Sequence, residues 1–357
     1  MQYLFAFSIS WLLAAVSTPI VKRFAVRQRL IDEPASAPDR KVHHTAIPLG
    51  GGVAIFFAFF LTLVLLAFFG ALPTGIIVGK HFFAIALSCF VLMAAGWIDD
   101  RRGLSPSMQF FFTIIATLLV VASGVGIREL TNPFGGKLSL IWNTLALPGG
   151  FMLKFPSDFL TIGWLMLAMY TTKLLDGLDG LVTGIGVIGA ATLFGVSLLP
   201  QLRQPQVAVV SAAAAGAMLG FLPYNSHPAK IFLGNGGSLL IGFLLGVIAI
   251  ASGGKFITLL LLLAVPVFDL LWIVIRRVFV EHRSPFSADR KHFHFRLLDA
   301  GLSHWQAVIV LWVASGIAGL AALGLQMRFK VYALAALVIA AAIVAVGLVR
   351  ISRQGHN

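Results

Sequence analysis

Long apolar runs alternate with short polar loops along the whole chain. A helix needs about 20 apolar residues to cross a bilayer, and the pattern predicts eleven such spans, at residues 2–21, 47–69, 82–98, 107–126, 159–174, 181–199, 206–223, 238–252, 256–275, 304–326 and 331–349. The residue-by-residue alternation of a membrane β-barrel is absent. The pattern therefore predicts an all-α polytopic membrane protein, organised as one integral-membrane domain over residues 1–357.

The composition supports this prediction. The chain is 59% hydrophobic and 11% charged, whereas soluble domains carry about 25% charged residues. Its net charge of +13 is spread over short loops, so binding of nucleic acid is not indicated. The first apolar run has no basic segment before it and no small-residue cleavage site, which predicts a retained helix in place of a signal peptide.

The distribution of Lys and Arg predicts the orientation of the chain. Loops 22–46, 99–106, 173–180, 224–237, 276–303 and the tail from 350 carry more than twice as many of these residues as the opposite loops. The positive-inside rule places this basic set in the cytoplasm. The polar clusters described below are thus expected on the cytoplasmic side.

Asp176 and Asp179 lie between two apolar runs, in the stretch Asp176-Gly177-Leu178-Asp179-Gly180. Carboxylates three residues apart share one face if this stretch is the first turn of a helix. A carboxylate is costly at membrane depth, so the pair predicts a functional site. A polar turn between two spans is the simpler alternative.

Adjacent carboxylates, Asp99 and Asp100, end the third span. They repel each other and oppose the helix dipole at a C-terminus, which predicts a metal ion, a cationic ligand or proton transfer at this place. Neutralisation by Arg101 and Arg102 is the alternative.

Three further clusters are candidates for binding phosphate. Arg40, Lys41 and His43 lie in the first basic loop. The segment 234–238, which ends at Ser238, predicts either an anion-binding nest at the start of the eighth span or a glycine turn in which Ser238 is the N-cap.

The last basic loop contains Arg290, His292 and His294, and this mixture of cations and imidazoles suits a polyanionic substrate. A zinc site is not indicated in that loop, since no cysteine is near and the histidine spacing lacks partners. Asp269, inside the ninth span, is expected to face the bundle interior and to pair with Arg276 or Arg277. Two small-residue patterns, Gly216-x-x-x-Gly220 and Gly242-x-x-x-Gly246, predict close helix packing.

Together these clusters resemble one family, the polyprenyl-phosphate N-acetylhexosamine-1-phosphate transferases, which include the phospho-N-acetylmuramoyl-pentapeptide translocases. The resemblance runs from about residue 39 to residue 298. The matching pieces are Arg40-Lys41-x-His43 with Pro48-x-Gly50-Gly51, Asp99-Asp100-x-x-x-Leu104-Ser105-Pro106, Asp176-Gly-Leu-Asp179-Gly180, Gly234-x-x-Gly237-Ser238, and Ser284-Pro285-Phe286 followed by His292-x-His294.

The resemblance implies a reaction and roles for these residues. Undecaprenyl phosphate attacks the β-phosphate of a UDP-N-acetylhexosamine and UMP leaves, in the first membrane step of cell-envelope glycan synthesis. By position, Asp99 and Asp100 would handle the lipid phosphate, and Asp176 and Asp179 would shape the nucleotide and Mg²⁺ site. The imidazoles of the last motif would contact the sugar-nucleotide phosphates.

The chain departs from the family pattern at three positions. Lys173 stands where the family has Asn, Asn235 where it has Asp, and Phe295 where it has a further histidine. The first two positions are those at which the family holds Mg²⁺ and diphosphate, so use of Mg²⁺ by this chain is an open question. Asp with Mg²⁺ and Asn with Lys carry the same net charge, which leads to the hypothesis that the Lys173 ammonium replaces the metal.

Two rival functions remain at this point. A family member that has lost catalysis would bind polyprenyl phosphate or a partner, and the substitutions at 173 and 235 favour it. A transporter would place charge near the bilayer midplane, whereas this chain places it at one interface. A plain N-acetylhexosamine fits the motifs better than a pentapeptide-bearing sugar. The sequence leaves open which sugar and pathway are involved, and whether the chain forms a homodimer.

Overall fold

A computed structural model describes residues 1–34, 45–71, 79–132, 135–147, 151–253, 256–282, 284 and 292–354. Helices dominate these ranges. They are α1 (Gln2–Arg27), α2 (Gly52–Phe68), α3 (Lys80–Arg102), α4 (Pro106–Ser123), α5 (Ser157–Leu175), α6 (Leu181–Ser197), α7 (Pro205–Asn225), α8 (Gly234–Ala251), α9 (Phe256–Leu262), α10 (Ala264–Ile275), α11 (Phe293–Asp299), α12 (His304–Gly324) and α13 (Met327–Gln354).

Short antiparallel strand pairs join some of the helices, so the all-α prediction holds only for the spans. The pairs are β1 (Ile31–Asp32) with β2 (Ile47–Pro48), β3 (Glu129–Thr131) with β4 (Lys137–Ser139), and β5 (Ile141–Leu147) with β6 (Phe151–Pro156). In the β5–β6 hairpin, aromatic and β-branched residues favour extended backbone, and the ring of Trp142 packs edge-on against Phe155.

Each predicted span coincides with helix, and the chain is a mainly helical, polytopic membrane protein. Among the described residues, six helices are long and apolar enough to cross a membrane, namely α1, α3, α4, α7, α8 and α12. The total of eleven spans stays a prediction. The ninth predicted span is broken at Leu263 into α9 and α10, because Pro266 has no N–H for a helical hydrogen bond to Leu262.

Helix α8 lies at the centre of the bundle and is far more buried than α1, whose span is mostly open to lipid. It packs against α2, α3 and α5 through glycines. A Cβ atom on Gly96 of α3 would lie 2.2 Å from the backbone of Gly236, and one on Gly242 would lie 2.4 Å from the Ala168 carbonyl oxygen of α5. The predicted packing role of the Gly242 pattern is therefore confirmed.

The Gly216 pattern serves the contact between α7 and α1 in the same way. A Cβ atom on Gly216 would lie 2.2 Å from the carbonyl oxygen of Phe7, and one on Gly220 would lie 2.3 Å from that of Trp11. Backbones this close leave no space for a methyl group, which confirms the second packing prediction.

The end of α3 and the starts of α4 and α8 meet at one end of the bundle. Helix α3 ends there at Arg102, with Gly103 at φ +68° as its C-cap. Helix α4 begins beside it, with Ser105 accepting a hydrogen bond from the Met108 N–H and Pro106 in the first turn. The α5–α6 turn and the α7–α8 segment lie at this same end, and hydrogen bonds link them to α3 and to each other.

We expect Gly96→Ala to destabilise the protein by about 1–3 kcal/mol, because its methyl group would force the backbones of α3 and α8 apart. Thermal unfolding of the full-length protein in detergent measures this effect. Gly163→Ala in α5 is the matched control, since nothing lies within 4 Å of its added Cβ atom. Equal melting temperatures for the two variants would contradict the packing argument.

Candidate active site

The carboxylates singled out in the sequence meet at this end of the bundle. Asp99 lies in the last turn of α3 and is buried, with 7% of its surface exposed. Its Oδ1 atom accepts hydrogen bonds from the Leu104 N–H at 2.7 Å and from Gln109 Nε2 at 3.0 Å. Part of its role is thus to hold the loop between α3 and α4.

Lys173, in the last turn of α5, faces Asp99. Its Nζ atom lies 3.9 Å from Asp99 Oδ2 and donates a hydrogen bond to Gln109 Oε1. Sequence reasoning missed Gln109, although a long polar side chain near the start of an otherwise apolar span is a usable signal. The lysine therefore brings its positive charge next to the aspartate pair, as the charge argument requires.

Asp100 occupies the N-terminus of α8. Its Oδ1 atom accepts hydrogen bonds from the Asn235 N–H at 3.0 Å and from Asn235 Nδ2 at 2.8 Å. Helix N-termini favour anions, and the anion bound here is a side chain of the protein itself. Gly234 has φ +75°, and a Cβ atom on it would lie 2.3 Å from Asp100 Oδ2.

Ser238 is not the N-cap of α8. The helix begins four residues earlier, at Gly234, and Leu233 is its N-cap residue, without a side-chain hydrogen bond. The Ser238 hydroxyl donates instead toward the Asn235 carbonyl oxygen at 3.2 Å, and it also contacts Asp176. Ser238 thereby links the start of α8 to the α5–α6 turn.

Asp176 and Asp179 do not lie on the first turn of a helix. Helix α5 ends at Leu175 and α6 begins at Leu181 after Gly180, whose φ of +78° starts a new helix direction. In this turn the two carboxylates face different neighbours. The tight turn is also fixed by packing, since a Cβ atom on Gly177 would lie 2.3 Å from His294 Nε2.

The side chain of Asp176 is exposed to solvent. Many protein atoms nevertheless lie around its carboxyl group, beyond the atoms that contact it directly. This partial loss of water raises the pKa of Asp176 to about 7, the charge of Asp100 adds to the rise, and the Ser238 hydrogen bond opposes it. A carboxyl group with this pKa exchanges its proton near neutral pH, which suits a general acid or base.

Asp179 turns toward the segment that follows α7. Its Oδ2 atom lies 2.8 Å from His227 Nδ1 and accepts a hydrogen bond from the Ala229 N–H at 3.0 Å. His304, the first residue of α12, stacks on His227 with ring centroids 4.0 Å apart. Sequence reasoning missed both histidines, because they come from separate segments and no spacing rule connects them.

His292 pairs with Asp269. Its Nδ1 atom lies 3.0 Å from Asp269 Oδ2, and the Phe293 N–H donates to Asp269 Oδ1 at 2.9 Å. Asp269 thus pairs with His292, whereas pairing with Arg276 or Arg277 was expected. The Arg276 Nε atom lies 3.3 Å from Glu281. One carboxylate thus fixes both the His292 ring and the start of α11.

His294 is buried against the α5–α6 turn, with 1% of its surface exposed. Its ring lies parallel to that of His292 at 5.6 Å and contacts Phe295 at 4.2 Å. Burial, aided by His292, lowers the pKa of His294 to about 3. This imidazole is therefore neutral at physiological pH, and its contact with the phosphates of a substrate stays a prediction. The other predicted phosphate contacts, Arg40, Lys41, His43 and Arg290, lie outside the described residues.

The position held by Lys173 does not fit Mg²⁺, because its ammonium, 3.9 Å from Asp99 Oδ2, would repel a dication. Mg²⁺ prefers oxygen ligands, and its binding at Asp176 and Asp179, the ligands expected from the resemblance, stays a prediction.

Comparison with known proteins places this site in a family. The glycosyl transferase family 4 profile matches residues 82–253. The chain is similar to a probable undecaprenyl-phosphate N-acetylglucosaminyl 1-phosphate transferase of Bacillus subtilis, with 32% identity over 90% of this chain and 84% of the relative. It is also similar to a decaprenyl-phosphate N-acetylglucosaminephosphotransferase of Mycolicibacterium smegmatis, with 33% identity over 78% and 72%, and to a phospho-N-acetylmuramoyl-pentapeptide-transferase of Staphylococcus aureus, with 29% identity over 89% and 96%. With relatives of this kind matched over most of their length, the chain belongs to glycosyl transferase family 4.

Proposed function

We propose that the protein transfers the sugar-1-phosphate of a UDP-N-acetylhexosamine to undecaprenyl or another polyprenyl phosphate and releases UMP. The reaction takes place at the cytoplasmic face of a bacterial inner membrane. The observation that carries this proposal is the meeting of Asp99, Asp100, Lys173 and Asp176 at one end of the bundle. The sugar-1-phosphate transferases named among the relatives support it.

The chemistry asks for positioning and for balance of charge around phosphates. An oxygen of the lipid phosphate attacks the β-phosphorus of the donor, and the bond to the α-phosphate oxygen breaks. Lys173 offers the positive charge nearest to the aspartate pair, and it is the proposed partner of the developing phosphate charge. Asp176, with its raised pKa, is the proposed proton acceptor for a protonated lipid phosphate.

The rival function is binding of polyprenyl phosphate without turnover. A specific observation favours it. Asn235 donates a hydrogen bond to Asp100, and the Lys173 ammonium lies beside Asp99, so the charges of the two carboxylates are compensated without substrate or metal. Turnover and binding are separated by measuring both with the same preparation.

Purified protein is expected to form polyprenyl-diphospho-sugar from undecaprenyl phosphate and one of a panel of UDP-N-acetylhexosamines. Asp100→Asn should lower the rate by at least about 10²-fold, because it removes a charge that positions the reacting groups. Glu129→Gln is the matched control, since this carboxylate pairs with Lys137 on the surface hairpin. Retention of undecaprenyl phosphate without product for every donor would favour the binding function instead.

Activity is expected to survive EDTA, because Lys173 replaces the charge of Mg²⁺. Lys173→Asn should abolish this metal-independent activity, and the double variant Lys173→Asn, Asn235→Asp should regain activity only when Mg²⁺ is added. Product formation with EDTA, Mg²⁺ or Zn²⁺ measures these dependences. Loss of wild-type activity in EDTA that Mg²⁺ restores would overturn the lysine hypothesis.

Asp269→Asn is expected to lower kcat by about 10–100-fold, because the amide cannot accept both the His292 Nδ1–H and the Phe293 N–H as the carboxylate does. An unchanged kcat would mean that the pair only anchors α11. Glu129→Gln again provides the control.

A further inference from the structure

Asp179, His227 and His304 form a cluster whose two histidines have no role in the proposed transfer. Each residue offers one ligand atom, and the three atoms lie within 4.8 Å of one another. The residues come from three separate segments, namely the α5–α6 turn, the segment after α7 and the first turn of α12. Among the described residues, this is the group with the donor set of a metal site.

Asp179 and His227 share a proton between two atoms, Oδ2 and Nδ1, that could both bind a metal ion in its place. Their 2.8 Å separation requires a shared proton between Nδ1 and Oδ2. The Ala229 N–H donates a hydrogen bond to the same carboxylate oxygen at 3.0 Å and thereby fixes the orientation of the carboxylate. The imidazole of His227 is 38% exposed, so an ion can reach it from solvent.

His304 supplies a second, independent observation. Its Nδ1 atom is buried and has no hydrogen-bond partner among the described residues. Its Nε2 atom lies 3.5 Å from the Asp179 carbonyl oxygen, at the limit of a hydrogen bond. Buried ring nitrogens are normally satisfied by a partner, water or an ion, so one nitrogen of this imidazole is available for a ligand.

We propose that Asp179, His227 and His304 bind a divalent transition metal of the zinc class. Two imidazoles and a carboxylate favour Zn²⁺ and similar ions over Mg²⁺, which prefers oxygen ligands alone. Ligands about 2.0–2.1 Å from a tetrahedral ion lie roughly 3.4 Å apart. The two imidazole rings stack at present, with centroids 4.0 Å apart, so at least one ring has to rotate before both face one ion. Three protein ligands leave a further position for water or another oxygen ligand.

Such a site uses two histidines that are not among the residues expected to hold Mg²⁺. It joins three segments that are distant in the sequence, so the bound ion stabilises the folded state. The proposal concerns metal binding by the free protein and does not depend on which reaction the protein catalyses.

Direct metal binding tests the proposal. Full-length protein, purified in detergent through a tag that contains no histidine, is stripped with chelator and titrated with Zn²⁺ in the presence of millimolar Mg²⁺. One Zn²⁺ per chain is expected, with a rise in Tm. His227→Gln and His304→Gln should each weaken binding by at least about 10-fold and abolish the rise in Tm.

His81→Gln is the matched control, because His81 lies at the start of α3 and contacts Ser123 away from the cluster. It should bind Zn²⁺ as the wild type does. Equal affinity in the His227 and His304 variants, or no binding by the wild type, overturns the proposal. If those variants fail to fold, Co²⁺ absorption by the wild type decides: intense visible bands of a tetrahedral site support it, and weak octahedral bands or none overturn it.

Discussion

The candidate site depends on the close approach of α3 to the first turn of α8. The contact of Gly96 with Gly236 brings two backbones together without side chains between them. Only at this distance can the end of α3 place Asp100 on the N–H of Asn235. Because the negative end of one helix meets the positive end of another through a carboxylate, the site is electrostatically organised before any substrate arrives.

The charge balance of the site is local and is built into the chain. Asp99 has Lys173 and Gln109, Asp100 has the two donors of Asn235, and Asp269 has the His292 ring. Each buried carboxylate therefore has N–H groups that compensate for lost water. Asp176 differs, since it keeps contact with solvent and has a pKa near neutrality. This contrast separates the carboxylates that N–H groups hold in place from Asp176, which exchanges its proton near neutral pH.

The spans and the site followed from the sequence to different extents. Long apolar runs located the helices, and the family motifs located Asp99, Asp100 and Asp176, because both signals are local. The break at Leu263, the start of α8 before Ser238 and the turn around Asp179 depend on capping and packing that letters alone do not reveal. Pairings between distant segments, such as Asp269 with His292 or His227 with His304, need the assembled fold.

The contact of His294 with Gly177 couples two motifs that are far apart in the chain. The imidazole fills the space that any side chain at position 177 would need. The two positions therefore cannot vary independently: a larger residue at 177 is compatible only with a smaller one at 294. Engineering of α11 at position 294 is consequently also engineering of the turn that carries Asp176, even when no residue of that turn is changed.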